Sequence, residues 1–292
     1  MSNTVTMSIA EQGGGCTDVA SPFGETFLTP GRVGLIQLIR VSFESTVDRP
    51  DDLRGIADFA FTVLTDQIAA GPFFFNYMVS LPPPGTCLAA SGRALDVLGF
   101  SADRQLAGGD AITVEGPGGA RMATLNSADA EVLGGDIPDL GFARPFLLAG
   151  NYRISSEGGA DVGAIEGDLA VPGLPTWVNR VEVDVVDRSQ ALRIDWQVAS
   201  PDDRVVAVLV FGRASAYRTP AAVLCVEQAS AGSLTVPPRD LLSLPPSNAR
   251  AFSDRAFILV GTAPAGAPLK AAGLDGGVAA GIAVVGKEVV LE

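Results

Sequence analysis

The stretch that decides the fold is Gly158 to Arg180, GGADVGAIEGDLAVPGLPTWVNR. The glycine pair Gly158-Gly159 leads into a short alternating run. That run stops at Pro172-Gly173-Leu174-Pro175, because proline cannot donate to a β-ladder. Trp177 then opens a new series of strands. The stretch reads as a seam between two β-rich halves, residues 1–171 and 172–292.

Downstream of the seam the alternation is regular. Val181, Val183 and Val185 are expected on one strand face, with Glu182 and Asp184 opposite. Leu192, Ile194, Trp196 and Val198 form one face of the next strand, with Arg193, Asp195 and Gln197 opposite. Val205–Phe211 is an unbroken apolar run, the signature of a strand covered on both faces. Residues 222–227, 233–236, 256–261 and 282–291 complete the set. Pro238–Leu244 carries the one helical signal, with proline near its start.

Upstream, Val33–Phe43 and Ala57–Thr65 read as strands, the second with Phe59, Phe61 and Val63 on one face. Phe73–Leu81 is a further strand, closed by Pro82-Pro83-Pro84-Gly85. Residues 111–115, 121–125 and 146–155 add three more. EGPGG, Glu115–Gly119, reads as a hairpin turn; it lacks the lysine and helix of a phosphate loop. Residues 101–109 and 126–139 lack periodicity and read as loops. Short strands with frequent turn residues predict an all-β fold: two antiparallel, immunoglobulin-like β-sandwich halves in tandem, with almost no helix.

Composition bounds the chemistry. The 292 residues are 47% hydrophobic and 18% charged, which suits two globular cores. The net charge of -13, with no basic stripe, argues against a nucleic-acid partner and against docking on anionic membranes. The chain has no histidine. That excludes Ser-His-Asp and Cys-His catalysis and every histidine-bearing metal site. Three cysteines are too few for a four-cysteine zinc site. No run approaches 18 apolar residues, so no membrane-spanning helix is predicted.

Several phrases together carry a resemblance: SNTVTMSIA followed by GGGC, LPPPGTC, ITVEGPGG, VLGGDIP, NYRISSEGGADVGAIEGDLAVP, PTWVNR, LRIDWQ and AGSLTVPPRDLLSLP. The chain resembles the C-terminal module of large secreted proteins of Acidobacteria, in which immunoglobulin-like (IPT/TIG-type) repeats precede the module. The resemblance implies a secreted, extracellular setting and neighbouring domains in a parent chain. It also implies that residues 1–10 are the last strand of a preceding repeat. It carries no catalytic residues across.

In an oxidising compartment Cys16 and Cys87, both read as loop residues at strand ends, are expected to pair. That bridge would close a loop of about 70 residues and contribute roughly 4 kcal/mol. In a reducing compartment both would stay free thiols. Cys225, inside AAVLCVE, reads as a small buried hydrophobe.

Carboxylates are the chief catalytic groups left. Glu166, Glu182, Asp184 and Asp195 would support sugar cleavage only by facing each other across a cleft. Their place on the polar phase of amphipathic strands favours ordinary solvated side chains. Calcium is the ionic alternative, through Asp48, Asp51 and Asp52, Asp136 and Asp139, or Asp202 and Asp203. Turn chemistry alone accounts for these acids, and none has a known calcium-loop spacing. Phe73, Phe75 and Tyr77, with Phe74 on the other face, and Trp177 and Trp196 suit core packing better than sugar stacking. The expectation is a non-catalytic structural or interaction module, with no assigned metal or cofactor. Its partner would be a polysaccharide or a cell-surface protein. A carbohydrate-binding module is the alternative, and a carboxylate-dependent glycosidase comes last.

Overall fold

A computed structural model describes residues 31–44, 55–66, 82–91, 105–125, 131–136, 144–200, 204–212, 221–247, 255–264 and 266–292. Cys16, the Phe73–Tyr77 aromatics, Asp48, Asp51, Asp52, Asp139, Asp202, Asp203 and residues 1–10 lie outside them. The described chain is almost entirely β, in one large and two small sheets.

The large sheet has ten strands. Its main path contains β1 (Val33–Glu44), β2 (Gly55–Thr65), β3 (Thr86–Ser91), β6 (Glu131–Gly135), β12 (Arg204–Gly212), β13 (Ala221–Gln228), β15 (Ala256–Pro264) and β17 (Gly276–Leu291). Their order is β3-β13-β12-β15-β17-β1-β2-β6. Two short strands, β10 (Val185–Val186) and β16 (Ala267–Pro268), pair with β17 as well. A four-stranded sheet contains β4 (Ala111–Gly116), β5 (Gly119–Thr124), β7 (Gly150–Ser156) and β8 (Ile165–Val171), in the order β5-β4-β7-β8. A three-stranded sheet contains β9 (Thr176–Trp177), β11 (Leu192–Gln197) and β14 (Ser233–Val236), in the order β14-β11-β9. Among the described residues one α-helical turn occurs, α1 (Pro238–Leu241), with proline at its start as expected.

β17 is the spine. Antiparallel β15 lies on one side of it and β1 on the other, in parallel register from Val33↔Gly276 to Glu44↔Lys287. Alternation sorts its side chains. Ala279, Val285, Val289 and Leu291 point toward the small sheets; Ile282 and Val284 point to the opposite face. Two cores result on one side of the large sheet. Ile36, Leu38, Leu64, Ile112, Val114, Tyr152 and Leu169 fill the core beneath the four-stranded sheet. Ile194, Trp196, Val208, Val223, Ile258 and Val289 fill the core beneath the three-stranded sheet.

The boundary at 171/172 therefore has a different meaning from the one expected. It separates the two small sheets, since β8 ends at Val171 and β9 starts at Thr176. It does not separate the large one, where β1 pairs with β17 and β3 with β13 across that boundary. The Pro172–Pro175 joint hands the chain from one small sheet to the other over a common platform.

Three local expectations also change. Residues 126–139 contain β6, which pairs with β2 through a register shift. Residues 181–185 are not one strand: Arg180–Glu182 form a 3-10 turn and Val181 is 81% exposed. Ahead of β10, polar groups of this turn bond β17 in place of a ladder. Lys287 Nζ donates to the Arg180 carbonyl at 2.7 Å and pairs with Asp184, while the Arg180 guanidinium donates to the Gly286 carbonyl at 2.9 Å. The third change is the disulfide. Cys87 is not in a loop but on β3, directly opposite Cys225 on β13, and these two are bonded. The Cys16–Cys87 pairing is thereby corrected. TCLAAS has little β-branched or aromatic content, so nothing local marks it as a strand.

Candidate functional site

A concavity with polar walls lies where the four-stranded sheet meets the Gly158 loop. It has a volume of about 840 Å³. Its floor is a cross-strand row: Met122 on β5 is the register partner of Thr113 on β4, and Thr113 of Ser155 on β7. At about 4.8 Å per strand the row spans about 10 Å. These residues alternate with Ile112, Val114 and Ile154, which are buried in the core, so the row belongs to the outward face. Gly109 and Asp110 form one wall. Glu157, Gly158, Gly159 and Ala160 form the other.

The sequence fixes these walls. Gly109 and Gly158 both have positive φ, a conformation that disfavours other residues. A β-carbon on Gly159 would lie 2.5 Å from the Gly109 nitrogen and 2.6 Å from the Ala107 carbonyl oxygen. The loops are also bonded to each other. Ala107 N–H donates to the Asp161 carboxylate at 3.0 Å, and Asp161 and Val162 N–H both donate to the Ala107 carbonyl. The Ser156 hydroxyl donates to the Gly108 carbonyl at 3.4 Å. The cleft is thus a preformed shape with hydroxyls on its floor, two exposed carboxylates at its rim and, among the described residues, no lysine or arginine in its lining.

None of the four candidate catalytic carboxylates lines this cleft. Glu166 on β8 pairs with Arg153 at 3.5 Å. Asp195 on β11 accepts from Arg193 at 2.8 Å, which holds the Arg193 guanidinium above its ordinary pKa. Asp184 pairs with Lys287, and Glu182 lies in the 3-10 turn. Trp177 and Trp196 are core residues. Trp196 Nε1 donates to the Ala229 carbonyl and Trp177 Nε1 to the Asn179 carboxamide. That carboxamide also accepts from Asp195 N–H and donates to the Arg193 carbonyl, so PTWVNR docks β9 onto β11. Of the calcium candidates, Asp136 accepts from the Ile56 backbone and ties the end of β6 to β2. Among the described residues no group of three or more Cys, Asp or Glu side chains is placed to hold a metal ion.

A buried carboxylate with a raised pKa was not among the candidates. Asp58 is fully buried on β2 and accepts from the Phe146 and Leu147 N–H groups, with Arg40 Nε 3.9 Å away. Burial raises its pKa, against the lowering effect of those hydrogen bonds and of Arg40. Tyr152 completes the arrangement: its hydroxyl donates to the Phe146 carbonyl and accepts from Leu148 N–H. The network closes the 146–148 segment over the core rather than facing the cleft. Its one sequence signal was Asp58, a charge in an otherwise apolar strand.

Among the described residues no helix is long and apolar enough to cross a membrane. No protein-family model matches the chain. The comparison with curated proteins gives no match either.

Proposed function

We propose that this chain is a non-catalytic extracellular module of a larger secreted protein, with a structural or interaction role. The carrying observation is the Cys87–Cys225 bond, which joins the edge strand β3 to β13. Structural disulfides of this kind persist in oxidising compartments and are rare in reducing ones. The two cores support reading the architecture as two sandwich units, immunoglobulin-like in kind, built on one common sheet. Fractionation of the producing cells, followed by peptide mapping without reductant, tests the proposal. The expected result is protein in the medium or on the surface with Cys87 and Cys225 linked. Cytosolic protein with free thiols would overturn it.

The cleft supports a second reading, carbohydrate binding, through the Thr113 and Ser155 hydroxyls and the Asp110 and Glu157 carboxylates. A neutral-glycan screen with the wild type and with Thr113→Val tests that reading. It requires binding that the substitution weakens.

A further inference from the structure

Among the described residues the four-stranded sheet ends at β5, and the edge of β5 is blocked selectively. Thr124 N–H donates to the Glu131 carboxylate at 2.6 Å, and the Thr124 carbonyl accepts from the Thr62 hydroxyl at 3.0 Å. Both Thr124 peptide groups therefore point away from β4. Backbone direction in a ladder repeats every second residue, so Met122 and Ala120 point the same way. The Ala120 carbonyl accepts from the Arg121 guanidinium at 3.2 Å. Among the described residues the N–H and C=O of Met122 have no partner. Its side chain, 67% exposed, ends the floor row of the cleft at the sheet edge.

An open edge peptide beside a preformed cleft is the geometry of strand addition. Main-chain hydrogen bonds supply affinity, and a pocket takes alternate side chains. An added strand opposite β5 would place every second side chain on the outward face, in line with the Met122–Thr113–Ser155 row. Charge selects the occupant: among the described residues the lining contributes Asp110 and Glu157 with no cation, on a chain of net charge -13. We propose that the β5 edge and the adjoining cleft receive an extended basic peptide segment of another protein, added as a fifth strand. This rests on the interaction reading above and names the partner's chemistry.

The test is titration of the full, oxidised chain with three capped peptides. They are an alternating Lys-Thr peptide, the matching Glu-Thr peptide, and the Lys-Thr peptide N-methylated at alternate residues. The Lys-Thr peptide should bind, with amide shifts at residues 120–124, and should weaken with added salt. The other two should bind at least about tenfold more weakly. Met122→Pro removes the outward N–H without removing a bond to β4, and should weaken Lys-Thr binding about tenfold. Asp110→Asn with Glu157→Gln should weaken it several-fold and flatten the salt dependence. A Lys-Thr peptide that fails to bind overturns the proposal. So does equal binding of the Glu-Thr or N-methylated peptide, or unchanged affinity in both the Met122→Pro and the charge variants. The titration does not depend on where cells place the protein. A null result therefore leaves a secreted, disulfide-linked module standing, and a cytosolic location leaves the titration unaffected.

Discussion

The carbonyl oxygen of Ala170 occupies the space where a β-carbon on Gly281 would stand, 2.2 Å from that position. Val171 Cα is 2.7 Å from the same point. Gly281 is where β8, the last strand before the Pro172–Pro175 joint, lies against the spine strand β17. Both obstructing atoms are backbone, so no side chain can turn aside. Gly281→Ala should destabilise the fold by about 3 kcal/mol, at the upper end of overpacking effects. A lower urea midpoint with an unchanged slope would show this; a midpoint within error of the wild type would refute it.

The Cys87–Cys225 bond spans 138 positions of sequence. In the chain-entropy account such a loop contributes about 5 kcal/mol, and measured disulfides fall at about 2–5 kcal/mol. Cys87→Ala with Cys225→Ala should lose an amount in that range. Among the described residues β3 pairs along one side only, so its amides should show the largest rise in hydrogen exchange. Equal protection of β3 in both proteins would contradict its dependence on the bond.

Gln37 on β1 is fully buried, and neither its carboxamide oxygen nor its nitrogen finds a partner among the described residues. By alternation it shares a face with Leu35 and Ile39, opposite the small sheets. Leaving such a group unsatisfied costs about 1–3 kcal/mol. Gln37→Met keeps the volume and removes the polar atoms, so thermal unfolding should shift upward, equivalent to about 1 kcal/mol. A downward shift would mean that the carboxamide is satisfied in solution.

Asp58 gives the fold a pH dependence of known sign. Its pKa is raised in the folded state, chiefly by burial, from the ordinary value of 3.8. The folded state therefore holds the proton longer than the unfolded chain. The stability of the wild type relative to Asp58→Asn should be greatest below pH 3.8 and fall as pH rises through the folded pKa. Paired urea titrations at several pH values measure the difference. A difference that grows with rising pH would reverse the assignment.

The sequence carried the strands whose signal is local. Phe59, Phe61 and Val63 do share a face, as do Leu192, Ile194 and Trp196, because alternation reports burial directly. Val205–Phe211 is covered on both faces, as an unbroken apolar run requires, and EGPGG turns the β4–β5 hairpin. The misses were segments whose structure is imposed from elsewhere. β3 is Ala- and Ser-rich and is a strand because β13 lies beside it. β6 carries two glycines and is held by β2 and by Asp136. Of the cleft, only its Gly158-Gly159 pair and neighbouring turns stood out in the sequence. The Met122–Thr113–Ser155 floor combines three strands, and no pattern within one strand could reveal it.

By itself the sequence determined an all-β chain, the faces of its strongest strands, and the exclusion of histidine chemistry. The tertiary structure alone decided which strands pair, which cysteine Cys87 bonds, and that the 158–180 seam joins two small sheets over one large one. The reason is physical. A side-chain period of two is a local property that any apolar strand can show. The choice of partner is set by contacts between distant segments, as when Val33 near one end of the described chain lies beside Gly276 near the other. Apolar strands of similar composition carry no local mark of their neighbour.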